Sequence, residues 1–165
     1  MISRLRSIPV QRGAPDHIFT DSPHVAPNHV LINEYLSGQG IMPHKDGPAY
    51  HPVVCTVSLG APLCLDIYIT KEDGTRESAP SHRIFQEPRS LLITTNALYN
   101  DYMHGIADVN KEIDLSSTTV ANWGMLRSTS ELASGQLLRE TRTSLTYRDV
   151  IKTTSLSKFG MFGKR

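Results

Sequence analysis

Three stretches of the chain place polar residues at every second position, where a buried strand would carry apolar ones. They are residues 33–35 (Asn-Glu-Tyr), 44–46 (His-Lys-Asp) and 142–148 (Arg-Thr-Ser-Leu-Thr-Tyr-Arg). Because residues i and i+2 of a strand project from the same face, the alternate polar members of each stretch share a face. Burying such groups costs roughly 1–3 kcal/mol apiece unless a partner satisfies them. The pattern therefore predicts bound partners, and a metal ion with a small dianion would satisfy all three stretches.

His44 and Asp46 offer an imidazole and a carboxylate from one face of a strand end. A further histidine from a distant strand would complete the two-His, one-carboxylate triad that holds non-haem Fe(II), and His104 is the best candidate. The pair alone is weak evidence, because a chain of this composition produces a His-x-Asp by chance roughly 0.4 times. The alternatives are a surface histidine bonded to an aspartate in a turn, and an ordinary loop histidine beside Gly105.

The last stretch offers two guanidinium groups with hydroxyls between them on one face: Arg142, Ser144, Thr146 and Arg148. Arginine binds carboxylates through two parallel hydrogen bonds, so this face predicts a clamp for a dianion. The alternative is an edge strand with a solvated charged face, but then Leu145 and Val150 alone would anchor its other side. Asn33 and Tyr35 offer an amide and a phenol to the same anion, although alone they read as ordinary strand residues.

The rest of the chain predicts an all-β protein, an antiparallel sandwich or barrel with few helices. The predicted strands are 29–35, 53–59, 63–70, 90–95 and 142–151. The turn at 60–62 predicts a hairpin in which Leu59 lies opposite Leu63. Residues 106–140 are polar and too long for an ordinary connection, so they are interpreted as an insertion or a mobile lid. An irregular arm, 1–28, and a basic tail, 156–165, flank the strands.

The composition bounds the class of protein. With 165 residues, 39% of them hydrophobic, the chain fits one globular domain and has no apolar run long enough for a membrane span. A net charge of +1 gives no argument for a nucleic-acid partner, and the N-terminus lacks a secretory signal. In the predicted hairpin Cys55 and Cys64 do not face each other, which indicates free thiols in a reducing cytoplasm or nucleus.

Several other functional motifs are excluded. The Gly38-Gln39-Gly40 segment lacks the third glycine of a dinucleotide loop, and a β-turn explains it. The chain has no nucleophile elbow, no P-loop and no thiolate zinc site. Five further histidines have no carboxylate at ligand spacing and are interpreted as structural or exposed: His17, His24, His29, His51 and His82.

The order of these motifs resembles the AlkB-like 2-oxoglutarate- and Fe(II)-dependent dioxygenases: Asn-x-Tyr, His-x-Asp-Gly, a distant His, then Arg-x-Ser-x-Thr-x-Arg. Longer strings are similar to the sixth AlkB homologue branch, and they occupy 27–33, 40–48, 87–92 and 104–106. The resemblance covers residues from about 27 to 155, apart from the polar insertion.

The resemblance implies a double-stranded β-helix, or jelly roll, over 29–155, with iron inside it. It implies that the catalytic iron ligands are His44, Asp46 and His104. It implies that Arg142 binds the distal carboxylate of 2-oxoglutarate, and that the site is completed by Tyr35, Ser144, Arg148 and Asn33. The implied reaction uses dioxygen and 2-oxoglutarate to hydroxylate an N-methyl group of a nucleic acid or protein, with loss of formaldehyde.

The chain also departs from the family. Relatives carry several dozen further residues before the Asn-x-Tyr strand, including helices that support the sheet and a lid over the nucleotide. About thirty residues precede it here, so we expect an N-terminally truncated chain with an exposed sheet face. The alternatives to an active demethylase are a catalytically silent jelly roll that binds a partner and a protein side-chain hydroxylase or demethylase.

Nucleic-acid contacts are a further hypothesis, based on one aromatic and several basic residues: Trp123, Arg127, Lys152, Lys158, Lys164 and Arg165. Stacking and phosphate contacts would be their contribution. The alternative for Trp123 is a packing role, which is usual for a lone tryptophan.

Overall fold

A computed structural model describes residues 1–153, in which ten strands and two short α-helices occur. The elements are α1 (Ile2–Leu5), β1 (His29–Tyr35), β2 (Ile41–His44), β3 (Tyr50–Gly60), β4 (Leu63–Ile69), β5 (His82–Gln86), β6 (Leu91–Thr95), α2 (Asn96–Asn100), β7 (Tyr102–Ile106), β8 (Lys111–Glu112), β9 (Leu137–Leu138) and β10 (Arg142–Val150). The predicted basic tail lies outside the described residues. Within residues 1–153 no helix is long and apolar enough to cross a membrane.

Two four-stranded antiparallel sheets form the body of the protein. The major sheet has the order β1-β10-β3-β6 and the minor sheet the order β2-β7-β4-β5. Apart from β8 and β9, which form a separate two-stranded sheet, successive strands alternate between the two sheets, except that β4 and β5 are neighbours in the minor sheet. This is the strand order of a jelly roll, and it confirms the predicted mainly-β fold.

The predicted hairpin between β3 and β4 is wrong. β3 pairs with β10 and β6, whereas β4 pairs with β5 and β7, so the turn after Gly60 carries the chain from one sheet to the other. The apolar faces of the two strands belong to different cores. Val53 and Cys55 pack on the outer side of the major sheet under the N-terminal arm, while Leu65 and Ile67 face the interior.

The two cysteines are free and buried, each on the outer side of a different sheet. Burial raises the pKa of the Cys55 thiol to about 12. The pKa of Cys64 is raised further, by burial and by the neighbouring Glu112 carboxylate. Because the thiolate is the reactive form, both side chains behave as small apolar core groups.

Beyond Ile106, which ends β7 and faces the interior, the polar segment 106–140 packs on the outer face of the minor sheet. Leu115, Val120 and Leu132 are buried against Cys64 and Phe85. The short strands β8 and β9 pair with each other at the base of the segment. The structure therefore places this segment as a cover for the sheet and not as a lid over the pocket described below.

One buried carboxylate fastens this cover to the sheet. Glu112 is 1% exposed and accepts hydrogen bonds from Arg139 Nε at 2.7 Å and from Arg83 at 2.8 Å. Its Oε1 also accepts a hydrogen bond from the backbone amide of Cys64 at 3.0 Å.

Since removing one partner of a buried ion pair costs about 3–5 kcal/mol, we expect Glu112→Gln to lower the free energy of unfolding by that order. Urea unfolding would measure it, and the exposed Glu131→Gln should change stability by less than about 0.5 kcal/mol.

The N-terminal arm covers part of the outer face of the major sheet. Leu5 and Phe19 are fully buried there against β3. Farther along β1 the cover ends, and Val30 and Ile32 remain 44% and 64% exposed. The expected exposed sheet face is therefore present along this edge strand.

The arm is fixed to β10 through the buried carboxylate of Asp149. The backbone amide of His24 donates to Asp149 Oδ2 at 3.0 Å, and the His24 ring lies 2.6 Å from Oδ1. Burial acts to raise the pKa of Asp149, but these bonds outweigh it and the pKa is lowered. A lowered carboxyl pKa contributes stability above about pH 4, and this contribution is lost as pH falls through the folded-state value.

We therefore expect Asp149→Asn to be less stable than the wild type at neutral pH. The difference should begin to shrink below about pH 4, where the unfolded wild type takes up a proton at this position, and it should be lost as pH falls through the lowered folded-state pKa. Unfolding free energies measured at intervals between pH 7 and pH 3 would check it. A difference that stays constant across that range would contradict the role assigned to the carboxylate.

Candidate active site

The inner faces of the two sheets enclose a pocket of about 100 Å³. One buried water needs only about 10–15 Å³, so the pocket has room for a small organic acid. All eight residues singled out in the sequence line it: Asn33, Tyr35, His44, Asp46, His104, Arg142, Ser144 and Arg148. The structure thus brings the three polar stretches together, while the role of each residue stays a prediction.

Strand register explains why these side chains meet. β1 and β10 pair antiparallel, with Tyr35 opposite Arg142 and Asn33 opposite Ser144. The alternate residues of both strands therefore face inward. Across the barrel, His44 of β2 lies opposite His104 of β7. The alternation of residue types is what directs each polar group to the interior.

Arg142 forms the closed end of the pocket and is 2% exposed. Its Nη2 donates to Ser58 Oγ at 2.9 Å and to Gln86 Oε1 at 2.7 Å, while its Nε has no partner in the described structure. The guanidinium lies 5.7 Å from the centre of the Tyr35 ring. Burial lowers the pKa of Arg142 to about 10. A guanidinium buried beside neutral partners alone is a site for an anion.

Gln86 and Ser58 are functional candidates that the sequence interpretation missed. Gln86 ends β5 on the same face as Ile84, and Ser58 shares the inner face of β3 with Thr56 and Val54. Both are buried. The signal was present, since each is a polar residue at alternate spacing from an inward-facing one, but a single polar residue at a strand end is too common to single out.

The other end of the pocket gathers the three predicted metal ligands. The rings of His44 and His104 lie 4.6 Å apart between centroids, and His104 Nε2 is 3.8 Å from Asp46 Oδ2. His44 Nδ1 lies 2.8 Å from the carbonyl oxygen of Met42, which assigns the proton to Nδ1 and leaves Nε2 free as a ligand atom. Burial lowers the pKa of His104, against the opposing effect of Asp46, and this favours the neutral imidazole that metals bind.

This donor set fits a ferrous ion in its chemistry. Two imidazoles and one carboxylate with open positions are the usual ligands of non-haem Fe(II). Their donor atoms do not converge on one point. Within residues 1–153 no group of three His, Cys, Asp or Glu side chains has the spacing that holds a metal ion. Asp46 Oδ1 instead accepts a hydrogen bond from Arg148 Nη1 at 2.9 Å, and Oδ2 faces His104.

Arg148 lines the same pocket at the end that carries the predicted metal ligands. Arg142 and Arg148 are six residues apart on β10, or about 20 Å at roughly 3.3 Å per residue, so they lie toward opposite ends of the pocket, and a part for Arg148 in binding 2-oxoglutarate stays a prediction. The Arg148 guanidinium pairs with Asp46 and lies 4.0 Å from the centre of the Tyr50 ring. Its position suits the orientation of a metal ligand.

The residues proposed to contact nucleic acid lie elsewhere. Trp123 packs half-buried against the cluster around Phe85 on the outer face of the minor sheet. Arg127 pairs with Glu87 at 3.3 Å on the same side. Neither lines the pocket, so the packing alternative holds for Trp123. Lys152 is exposed after β10, and the three basic residues of the tail lie outside the described range.

Comparison with known proteins agrees with this geometry. The chain is 41% identical over 138 residues to the zebrafish (Danio rerio) protein named probable RNA/DNA demethylase ALKBH6, covering 80% of this chain and 57% of that protein. It is 29% identical over 127 residues to uncharacterized protein L905 of Acanthamoeba polyphaga mimivirus, covering 76% and 50%. It is 31% identical over 145 residues to the Xenopus tropicalis protein named tRNA (carboxymethyluridine(34)-5-O)-methyltransferase alkbh8, covering 86% and 20%.

The chain therefore spans little more than half the length of these curated relatives, or less. Among solved structures, that of OsALKBH1 matches 89% of this chain and 57% of its own, at a TM-score of 0.47 and 20% identity. The family model of the 2OG-Fe(II) oxygenase superfamily matches residues 7–148, a range that contains every pocket residue named above. The chain belongs to the 2OG-Fe(II) oxygenase superfamily, whose members use Fe(II), 2-oxoglutarate and dioxygen, and within it the chain is AlkB-like.

Proposed function

We propose that this chain is the catalytic domain of an oxygenase that removes a methyl group from an N-methylated nucleic-acid base. The observation that carries the cofactor part is the pocket itself. At one end lies a buried guanidinium whose partners within residues 1–153 are neutral, and at the other lie two imidazoles and a carboxylate. The nucleic-acid part is supported by the printed name of the zebrafish relative. The buried free thiols support a reducing compartment, cytoplasm or nucleus, as its place of action.

In this proposal His44, Asp46 and His104 hold Fe(II), and Arg142 binds the distal carboxylate of 2-oxoglutarate. When bound, the ferrous ion lets dioxygen oxidise 2-oxoglutarate to succinate and carbon dioxide and hydroxylate the methyl C–H bond. The resulting N-hydroxymethyl group breaks at its C–N bond, so the base keeps the nitrogen and formaldehyde leaves.

The protein's contribution is position and environment. Gln86 and Ser58 hold the Arg142 guanidinium in place. The position of the guanidinium sets how deep a carboxylate can enter the pocket. Arg148 holds one oxygen of Asp46 and leaves the other toward His104. Apolar side chains exclude water from the walls between the two ends: Leu31, Val54, Leu65, Leu92 and Ile106.

The test is a coupled assay with defined substrates. The purified chain, with Fe(II), ascorbate and 2-oxoglutarate, is incubated with single-stranded DNA and RNA oligonucleotides carrying N-methylated adenine or cytosine. Peptides carrying methylated lysine or arginine are run in parallel. We expect formaldehyde in proportion to succinate with an oligonucleotide and not with the peptides.

Each other outcome would indicate a different function of the chain. Formaldehyde with peptides alone would indicate a protein demethylase, and a hydroxylated peptide without formaldehyde would indicate a side-chain hydroxylase. Metal and 2-oxoglutarate binding with no succinate under any condition would indicate a catalytically silent binding domain. Arg76→Met is the matched control, because Arg76 stacks on Tyr68 outside the pocket and should not change turnover.

A further inference from the structure

Helix α2 makes two contacts with the segment that carries the first two predicted metal ligands. Lys45, between His44 and Asp46, donates from Nζ to the carbonyl oxygen of Asn100 at 2.7 Å. The Tyr99 hydroxyl donates to the carbonyl oxygen of Gly47 at 2.7 Å. Both partners belong to the last turn of α2, so the ligand-bearing segment is held on each side of Asp46.

The same helix leads directly into the strand of the third ligand. α2 ends at Asn100, β7 begins at Tyr102, and His104 follows two residues later. The backbone path from Tyr99 to His104 is therefore only five residues long. A displacement of the Asp46 segment relative to α2 changes the separation of Asp46 Oδ2 and His104 Nε2, which is 3.8 Å here.

Tyr99 is well placed for such a role because it is 9% exposed. Its hydroxyl also lies 3.5 Å from the carbonyl oxygen of Tyr50. The bond to Gly47 is partly buried, and such a bond contributes about 0.5–1.5 kcal/mol, so it favours this position of the segment. The Lys45 ammonium, at the carbonyl end of the helix, adds a favourable interaction with the helix dipole.

We infer that Tyr99 is a positioning residue for the metal site. Together with Lys45 it braces the segment against α2, so that Asp46 and His104 face each other across 3.8 Å. The inference rests on the proposed metal centre. Outer residues that orient metal ligands typically contribute 10–100-fold to affinity. Tyr99 acts through a backbone carbonyl next to a ligand, so its effect belongs at the lower end of that range.

The experiment measures Co(II) affinity and the ligand-field spectrum of the Co(II) protein, without turnover. We expect Tyr99→Phe to raise the Co(II) Kd about tenfold and to shift the ligand-field bands. Lys45→Met, which keeps the aliphatic stem, should raise the Kd about threefold. Tyr68→Phe is the matched control, because it removes a hydroxyl on the outer face of the minor sheet and should leave both readouts unchanged.

A purely structural role for Tyr99 would lower the melting temperature of the metal-free protein without changing the Co(II) Kd or spectrum of the folded protein, and that result would overturn the inference. Should Tyr99→Phe fail to fold, the exposed Lys45→Met decides, because an unchanged Kd there overturns the brace. A wild-type protein that does not bind Co(II) would overturn the proposed metal centre as well. Oligonucleotide turnover, measured separately, tests the proposed substrate.

Discussion

Replacing Arg142 by methionine is expected to weaken 2-oxoglutarate binding strongly while leaving the ligand-free protein about as stable as the wild type. The guanidinium is 2% exposed, and its hydrogen-bond partners in the described structure are neutral groups, Ser58 and Gln86. Removing the donor leaves these two buried groups unsatisfied, at about 1–3 kcal/mol each. Burying an uncompensated charge costs several kcal/mol, so relief of that cost offsets the lost bonds.

Unlike stability, the affinity for 2-oxoglutarate should fall strongly in the methionine variant. Removing one partner of a buried, hydrogen-bonded charge pair costs about 2–5 kcal/mol, which corresponds to a loss of affinity of roughly 30- to 5,000-fold. Anaerobic titration of 2-oxoglutarate into the Co(II) protein would measure it, with urea unfolding of the same samples. Arg142→Lys keeps the charge without the planar guanidinium, so its affinity for 2-oxoglutarate should lie between those of the wild type and the methionine variant. A methionine variant that binds 2-oxoglutarate normally, or is several kcal/mol less stable, would contradict this account.

The composition of the pocket was predictable because it depends on local alternation. Asn33, Ser144 and Arg142 face inward for the same reason that their apolar neighbours face outward, namely the two-residue repeat of a strand. That repeat needs no knowledge of which strands pair. It also predicted that His44 and Asp46 would lie on one side of the chain.

Pairing between distant strands was not predictable in this way. The alternation in β3 and β4 is compatible with a hairpin, and only the covers on the two outer faces, the N-terminal arm with Phe19 and the segment with Leu132, reveal that each strand belongs to a different sheet. A pattern of apolar residues states that a face is buried but not what buries it. The segment 106–140 appeared polar because only a few of its residues form the contact.

The partner of each charged group was the least predictable feature. Arg148 and Arg142 have the same residue type and the same parity on β10, yet one pairs with Asp46 and the other with Gln86. The difference arises from distance along the barrel axis. Parity gives only the face of the sheet, so the sequence interpretation assigned both arginines to one anion.

The pairing of Asp46 with Arg148 leads to a second large effect. We expect Asp46→Asn to lose metal binding by more than about 100-fold, since even residues outside the ligand set contribute 10–100-fold. It should also destabilise the metal-free protein by up to about 3–5 kcal/mol, because Arg148 is 8% exposed and loses its counter-charge. The exposed Asp16→Asn is the control for the substitution and should change neither property.

Combining this change with Arg148→Met separates the two roles of Asp46. The double variant should recover most of the lost stability, because the unpaired guanidinium is gone, while metal binding stays absent. Arg148→Met alone should keep metal binding but lose stability. It leaves the Asp46 carboxylate without its 2.9 Å partner, so the metal-free protein loses stability, while Co(II) still stabilises this variant against unfolding because the ligand is present. Melting temperatures of the four proteins, each with EDTA and with Co(II), complete the cycle, and a double variant that binds Co(II) would show that Asp46 is not a ligand.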